Sequence, residues 1–210
     1  MNQIGAPSQR TQSDHPDVTA QSRPADGLDA EPEPAADPLM TTDNSYQHWQ
    51  TDNGHQLEHA IHDKRWIDIF SSGLVGLCSQ LVDALSDRLD TPVLAISVCW
   101  TDDAEMQRHN SQFRQKTAPT NILSFPSGDE SGIGDLVIGF DTVMAEAEQM
   151  GISPDHHIAH LLVHGILHLL GYDHIDDEDA QQMEALETEL LLAQGIADPY
   201  SRPAIDEFTS

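Results

Sequence analysis

The chain has 210 residues, enough for one sizeable core, and carries 36 acidic side chains against 9 basic ones, a formal charge of −27. Hydrophobic residues make up 38%, below a typical globular share, so part of the chain is expected not to pack. No apolar run reaches the roughly 18 residues of a membrane span, and MNQIGAPSQRTQSDHPD at the N-terminus lacks the apolar stretch of a secretory signal. Two cysteines, Cys78 and Cys99, are too few for a disulfide scaffold, which points to a reducing, cytoplasmic setting. The charge excludes a general basic grip on nucleic acid, DNA included.

Residues 1–45 hold six of the twelve prolines, no Phe, Trp or Tyr, and eight acids against two arginines. Such a segment buries too little apolar surface to offset its ordering entropy and reads as a disordered acidic tail. Residues 46–200 are expected to form one domain, and residues 201–210 a C-terminal tail. From residue 46 onward there are still 28 acids and 7 bases.

Trp66, Ile69, Phe70, Leu74, Leu77, Leu81 and Leu85 recur at helical spacing and predict one amphipathic helix over 65–89. After Pro92, VLAISVCW (93–100) is β-branched and apolar, a buried strand. Asp102 and Glu105 resemble a capping box for a helix to Phe113. A polar, proline-broken loop follows from Arg114, leading to strands at 122–125 and 135–139. Asp141 is read as the cap of a helix that stops at Gly151. Ser153 and Pro154 start the next helix, Gly171 ends it, and a last helix spans 177–194. This order of elements predicts an α+β fold, a small mixed β-sheet packed with several α-helices around a central buried helix.

That central helix carries the chemistry. HHIAHLLVHGILHLLGYDH (156–174) holds six of the twelve histidines among residues that are apolar nearly all round. A histidine buried there must find a partner or incur a cost of order 1–3 kcal/mol. His164 and His168 are four residues apart on one face, with Cβ atoms roughly 5–6 Å apart. Gly171 permits a left-handed turn that can bring His174 back as a third ligand. Three neutral imidazoles suit zinc at about 2.0–2.1 Å, with a fourth position open. A lone histidine on such a helix is more often a satisfied core residue; the spacing and the glycine bend turn the balance toward a metal. His156 and His160 continue the same ladder, and His160 is the nearest rival ligand. Gly165 stands where a His-Glu-x-x-His peptidase carries its general base, which disfavours peptidase chemistry.

HGILHLLGYDH (164–174) resembles the signature of the YbeY family of bacterial endoribonucleases, the rRNA maturation factors. NSQFRQKTAPTNILSFP (110–126), GDLVIG (134–139) and MEALETELL (183–191) resemble three further family segments in the same order. Phe113, Thr117 and Ile122 depart from the family's usual tyrosine, aspartate and valine. The resemblance spans roughly residues 66–194. It implies a zinc-dependent, single-strand-specific endoribonuclease acting in 16S rRNA 3′-end maturation and ribosome quality control. It also implies one Zn²⁺ on His164, His168 and His174, a functional arginine at Arg114, and partners among small-subunit components and a ribosome-assembly GTPase. Taken without the resemblance, Arg114 reads sooner as a solvated loop charge than as a functional residue. Asp173 is either an acceptor that orients a ligand or a turn former, and Tyr172 either touches substrate or packs. A metallohydrolase of a non-RNA substrate and a structural zinc module that binds ribosomal components are the alternative readings.

Overall fold

The computed structural model describes residues 46–114, 116–127 and 133–201, all within the compact unit Leu39–Ser210. The expected tail over 1–45, and 201–210 apart from Ser201, lie outside the described residues. Five strands, β1 (Tyr46–Gln50), β2 (Gln56–Ile61), β3 (Ala95–Thr101), β4 (Ile122–Pro126) and β5 (Gly134–Gly139), form one sheet in the order β1-β2-β3-β5-β4. β2, β3 and β5 run parallel, and the edge strands β1 and β4 are antiparallel to their neighbours. The helices are α1 (Arg65–Ile69), α2 (Val75–Leu89), α3 (Asp103–Arg114), α4 (Phe140–Met150), α5 (Pro154–Leu169) and α6 (Asp177–Ala193). The fold is α+β with a mixed sheet, as the order of elements predicts.

Alternation along the strands divides the sheet into two faces. Ile96, Val98 and Trp100 of β3 and Leu136 and Ile138 of β5 join Ile122 in the main core, shared with α2, α5 and α6. Cys99, Leu123 and Val137 point the other way and meet Met106 of α3 in a smaller cluster. Helix α5 is the hub of the larger core, packing on α2, α4, α6, β4 and β5. Its closest approach to the sheet is at Gly165, where an added Cβ would lie 2.7 Å from Ile122 Cδ1 and 2.8 Å from Leu136 Cδ2. The glycine after His164 is therefore a packing requirement, and a side chain there would face the sheet.

Four expectations need correction. The helix over 65–89 is broken by a π-helical turn, Phe70–Leu74, in which Gly73 has φ 104°. Only glycine adopts that conformation readily, so a helical pattern of apolar residues runs through a kink. By length and composition this 25-residue stretch is apolar enough to cross a membrane, contrary to the expectation that no span exists; in the fold, Cys78, Leu81, Val82 and Leu85 of α2 bury one stripe in the main core. Strands β1 and β2 are additions to the expected elements. β2 buries Leu57, His59 and Ile61 on alternate positions, but the middle residue counts as polar in any sequence pattern. His59 accepts a hydrogen bond from Trp100 Nε1 at 2.8 Å, and burial pushes its pKa down to about 3, so a neutral ring occupies the core position. Finally, Asp141 does not cap α4: it lies in the first turn and pairs with Arg65 at 2.6 and 3.0 Å. The cap comes from Asp103 of α3, which accepts from Thr142 N–H at 3.1 Å and Thr142 Oγ1 at 2.6 Å.

Candidate metal centre

Helix α5 starts as its sequence predicts. Pro154 occupies the first turn, and Ser153 Oγ accepts from His156 N–H at 3.3 Å. It ends where Gly171, at φ 90°, turns the chain back, with Tyr172 N–H bonded to the Leu167 carbonyl at 3.0 Å. That six-residue loop closure is the Schellman geometry. Beyond it, Asp173 Oδ1 accepts from His174 N–H at 2.7 Å, which makes Asp173 a turn former. Tyr172 packs against the main core.

The turn brings the three expected histidines together. One ring nitrogen from each of His164, His168 and His174 lies within 4.8 Å of the other two. The ring centroids are 4.5 Å apart for His164–His168, 5.1 Å for His168–His174 and 5.6 Å for His164–His174. Hydrogen bonding sets the chemistry of these nitrogens. His168 Nδ1 donates to the Tyr172 carbonyl at 2.9 Å, and His164 Nδ1 donates to Glu187 Oε1 at 2.8 Å. With both Nδ1 atoms protonated, the neutral rings present Nε2 lone pairs to one another across 3.1 Å. Two facing lone pairs repel unless a cation lies between them. Nitrogens bound tetrahedrally at about 2.0–2.1 Å stand about 3.4 Å apart, so the pair is close to the spacing one ion requires. Burial, followed by the field of His164, holds the His168 pKa below its ordinary value, which keeps that ring neutral and able to ligate.

Glu187 contacts His164 and is a residue that the sequence pattern leaves without a role. It is 0% exposed and accepts from His164 Nδ1 at 2.8 Å, from His160 Nε2 at 3.1 Å and from Tyr200 Oη. Burial alone would raise its pKa, but these three donors outweigh it and bring the carboxyl down to about 2. The result is a buried carboxylate that fixes the tautomer and the orientation of His164, the usual partner of a ligating imidazole. One sequence signal points to it: an acid on the helical stripe of Met183, Leu186, Leu190 and Leu191, all buried. Tyr200 reaches it from a segment pinned to α6, where Asp198 Oδ1 accepts from Thr188 Oγ1 at 3.2 Å and from Tyr200 N–H at 2.8 Å.

The other histidines of α5 are accounted for differently, and His156, the ladder position before His160, is exposed. His160 holds Glu187, and His157 Nε2 meets Glu146 Oε2 at 2.7 Å. Neither is among the grouped ligand nitrogens. Arg114 closes α3 and is exposed, and its side chain makes no hydrogen bond or ion pair with another described residue. Cys78 and Cys99 are buried free thiols, both pushed to high pKa chiefly by that burial; they act as small hydrophobes.

Known proteins of one family resemble this chain. The family model described as Endoribonuclease YbeY matches residues 60–195. The chain is 46% identical over 136 residues to the Endoribonuclease YbeY of Chelativorans sp. (strain BNC1), covering 61% of this chain and 83% of that protein. It is 45% identical over 135 residues to that of Paramagnetospirillum magneticum, covering 59% and 82%. With that of Azorhizobium caulinodans it shares 44% over 156 residues, covering 71% of this chain and 98% of the relative. A family match over most of the described chain, with relatives this similar along most of their own length, means that the chain belongs to the YbeY endoribonuclease family.

Proposed function

We propose that the protein is a zinc-dependent endoribonuclease specific for single strands, with the ion on His164, His168 and His174 and Arg114 on the substrate phosphate. One observation carries the reading: two lone-pair nitrogens, their tautomers set by Glu187 and the Tyr172 carbonyl, face one another at 3.1 Å beside a third imidazole. When bound, such an ion lowers the pKa of water toward about 7 and polarises a phosphoryl oxygen. The protein's own contribution is positional. Glu187 keeps the proton on His164 Nδ1, and the Gly171 turn holds His174 against the helix. Arg114, free of acidic partners among the described residues, offers a planar fork to two phosphate oxygens.

The chain's acidity bears on how substrate arrives. Phosphate binding draws on Lys and Arg, and from residue 46 onward this chain has seven bases, three of them Arg108, Arg114 and Lys116. Free RNA is repelled at long range, so delivery on a ribosomal small subunit, aided by an assembly GTPase, suits this surface. The proposed task is 16S rRNA 3′-end maturation and ribosome quality control in the cytoplasm, without DNA or membrane partners.

The test is cleavage by the zinc-loaded chain of a single-stranded RNA, a double-stranded RNA and a peptide, each with and without chelator. Cleavage of the single strand alone, lost with chelator and restored by zinc, is the expected result. Peptide cleavage, or RNA cleavage indifferent to chelator, overturns the proposal. Tight zinc binding with no cleavage of any substrate favours a structural zinc module.

A further inference from the structure

A cavity of about 650 Å³ borders the metal centre, and His164 belongs to both. Its walls include Ile122, Met150, Ile152 and Leu161, with His160 and Tyr200 beside His164. The volume lies within the roughly 300–1,000 Å³ of small-molecule sites. No lysine or arginine lines it, and its one acid, Asp198, is engaged by Thr188 and the Tyr200 backbone. Asn121, Gln149 and Ser201 add uncharged polar groups, so without a lysine or arginine the recess is a poor site for a phosphate. It suits a flat, uncharged, aromatic group with a polar edge. His160 supplies a counterpart for that edge: its Nε2 is committed to Glu187, and its Nδ1 has no partner among the described residues, which leaves an acceptor for an N–H donor.

We infer that this cavity is a nucleobase subsite, taking the base of a nucleotide that flanks the cleaved phosphate. The inference rests on the ribonuclease reading above, which puts a phosphodiester at the three histidines. A phosphate held there carries a nucleoside on each side, and the recess that opens at His164 receives one of them. Apolar walls and neighbouring imidazole and phenol rings favour a base over a ribose, because every base offers a π-face. A base enters such a pocket only when it is neither paired nor stacked. The cavity thereby gives a physical cause for single-strand specificity, and it does so without basic residues, as the acidity of the chain requires. Tyr200 and the segment that carries it lie beyond the residues 60–195 matched by the family model, so one wall of the cavity lies outside that matched core.

Two measurements test this on the full chain loaded with zinc. In the first, adenosine, cytidine and free ribose are titrated while the methyl resonances of Met150 and Ile152 are followed. The nucleosides should shift both methyls, and ribose neither. Ile152→Trp, which fills the cavity from an exposed position, should abolish the Met150 shift while zinc content stays at one per chain. In the second, an abasic nucleotide is moved one position at a time across the cut of a single-stranded RNA. Loss of the base that occupies the cavity should slow cleavage by about 5- to 150-fold. Nucleosides that leave both methyls in place, or abasic substrates all cut within about twofold of the intact strand, overturn the subsite. The ribonuclease reading fails separately, if the intact RNA is not cut.

Discussion

The two halves of α5 are both rich in histidine and put it to different uses. In the N-terminal half, His157 and His160 each meet a carboxylate, Glu146 and Glu187. In the C-terminal half, His164 and His168 bond acceptors through Nδ1 and turn Nε2 toward each other. Spacing along a helix decides which rings share a face; what lies opposite each ring decides whether a nitrogen is left to ligate. Glu187 stands at the boundary and serves both halves.

Removing a ligand should give the largest effect. His168→Ala is expected to abolish stoichiometric zinc binding, measured by metal analysis after dialysis, and His160→Ala is expected to leave one zinc per chain. A His168→Ala protein that kept one tightly bound zinc would erase the distinction between the halves. Arg114→Ala leaves both halves untouched, so zinc content and melting temperature should not move. RNA cleavage should fall by roughly 10²–10³, the cost of losing one preorganised donor to developing charge. Arg114→Lys should restore little, since an ammonium lacks the bidentate fork; cleavage by Arg114→Ala within about twofold of the parent would return this arginine to the solvated surface.

Glu187→Gln probes the boundary. An amide can still accept one hydrogen bond, but its NH2 end opposes a donor, so the tautomer of His164 is no longer dictated. Zinc affinity should drop by about 10–100-fold in competition with a chelator. The smallest effect belongs to the N-terminal half alone. Burial holds the pKa of His157 below its ordinary 6.5, against the opposing pull of Glu146. The unfolded chain therefore takes up this proton more readily than the folded one, and stability should decline as pH falls through about 6.5, by at most about 1.4 kcal/mol per pH unit. His157→Gln should flatten that part of the curve in denaturant titrations between neutral and mildly acidic pH.

Much of the metal centre is legible in the sequence. The i,i+4 pair, the glycine stop and a third histidine three residues beyond it form a local pattern, and local patterns survive folding. Helix α5 begins at Pro154 and ends at Leu169, between the Ser153 cap and the Gly171 stop. What the pattern does not reveal is non-local. Glu187 lies 23 residues from His164, and its role exists only because α6 packs on α5. Likewise Asp103 caps a helix 39 residues away, a task that chain position assigns to Asp141.

Short-range physics thus accounts for the α+β composition, the extent of the central helix and the identity of three convergent histidines. Helical periodicity, a cap and a glycine that tolerates positive φ are enough for each. Packing between distant segments makes His59 a neutral core ring, makes Gly165 the point where α5 meets the sheet, and sets Glu187 against His164. The same holds for the cavity, which adjoins the metal centre because residues 196–201 fold back against α5. A side chain's protonation, its tautomer and its free lone pair are set by whatever packs against it, and that neighbour generally comes from a distant part of the chain.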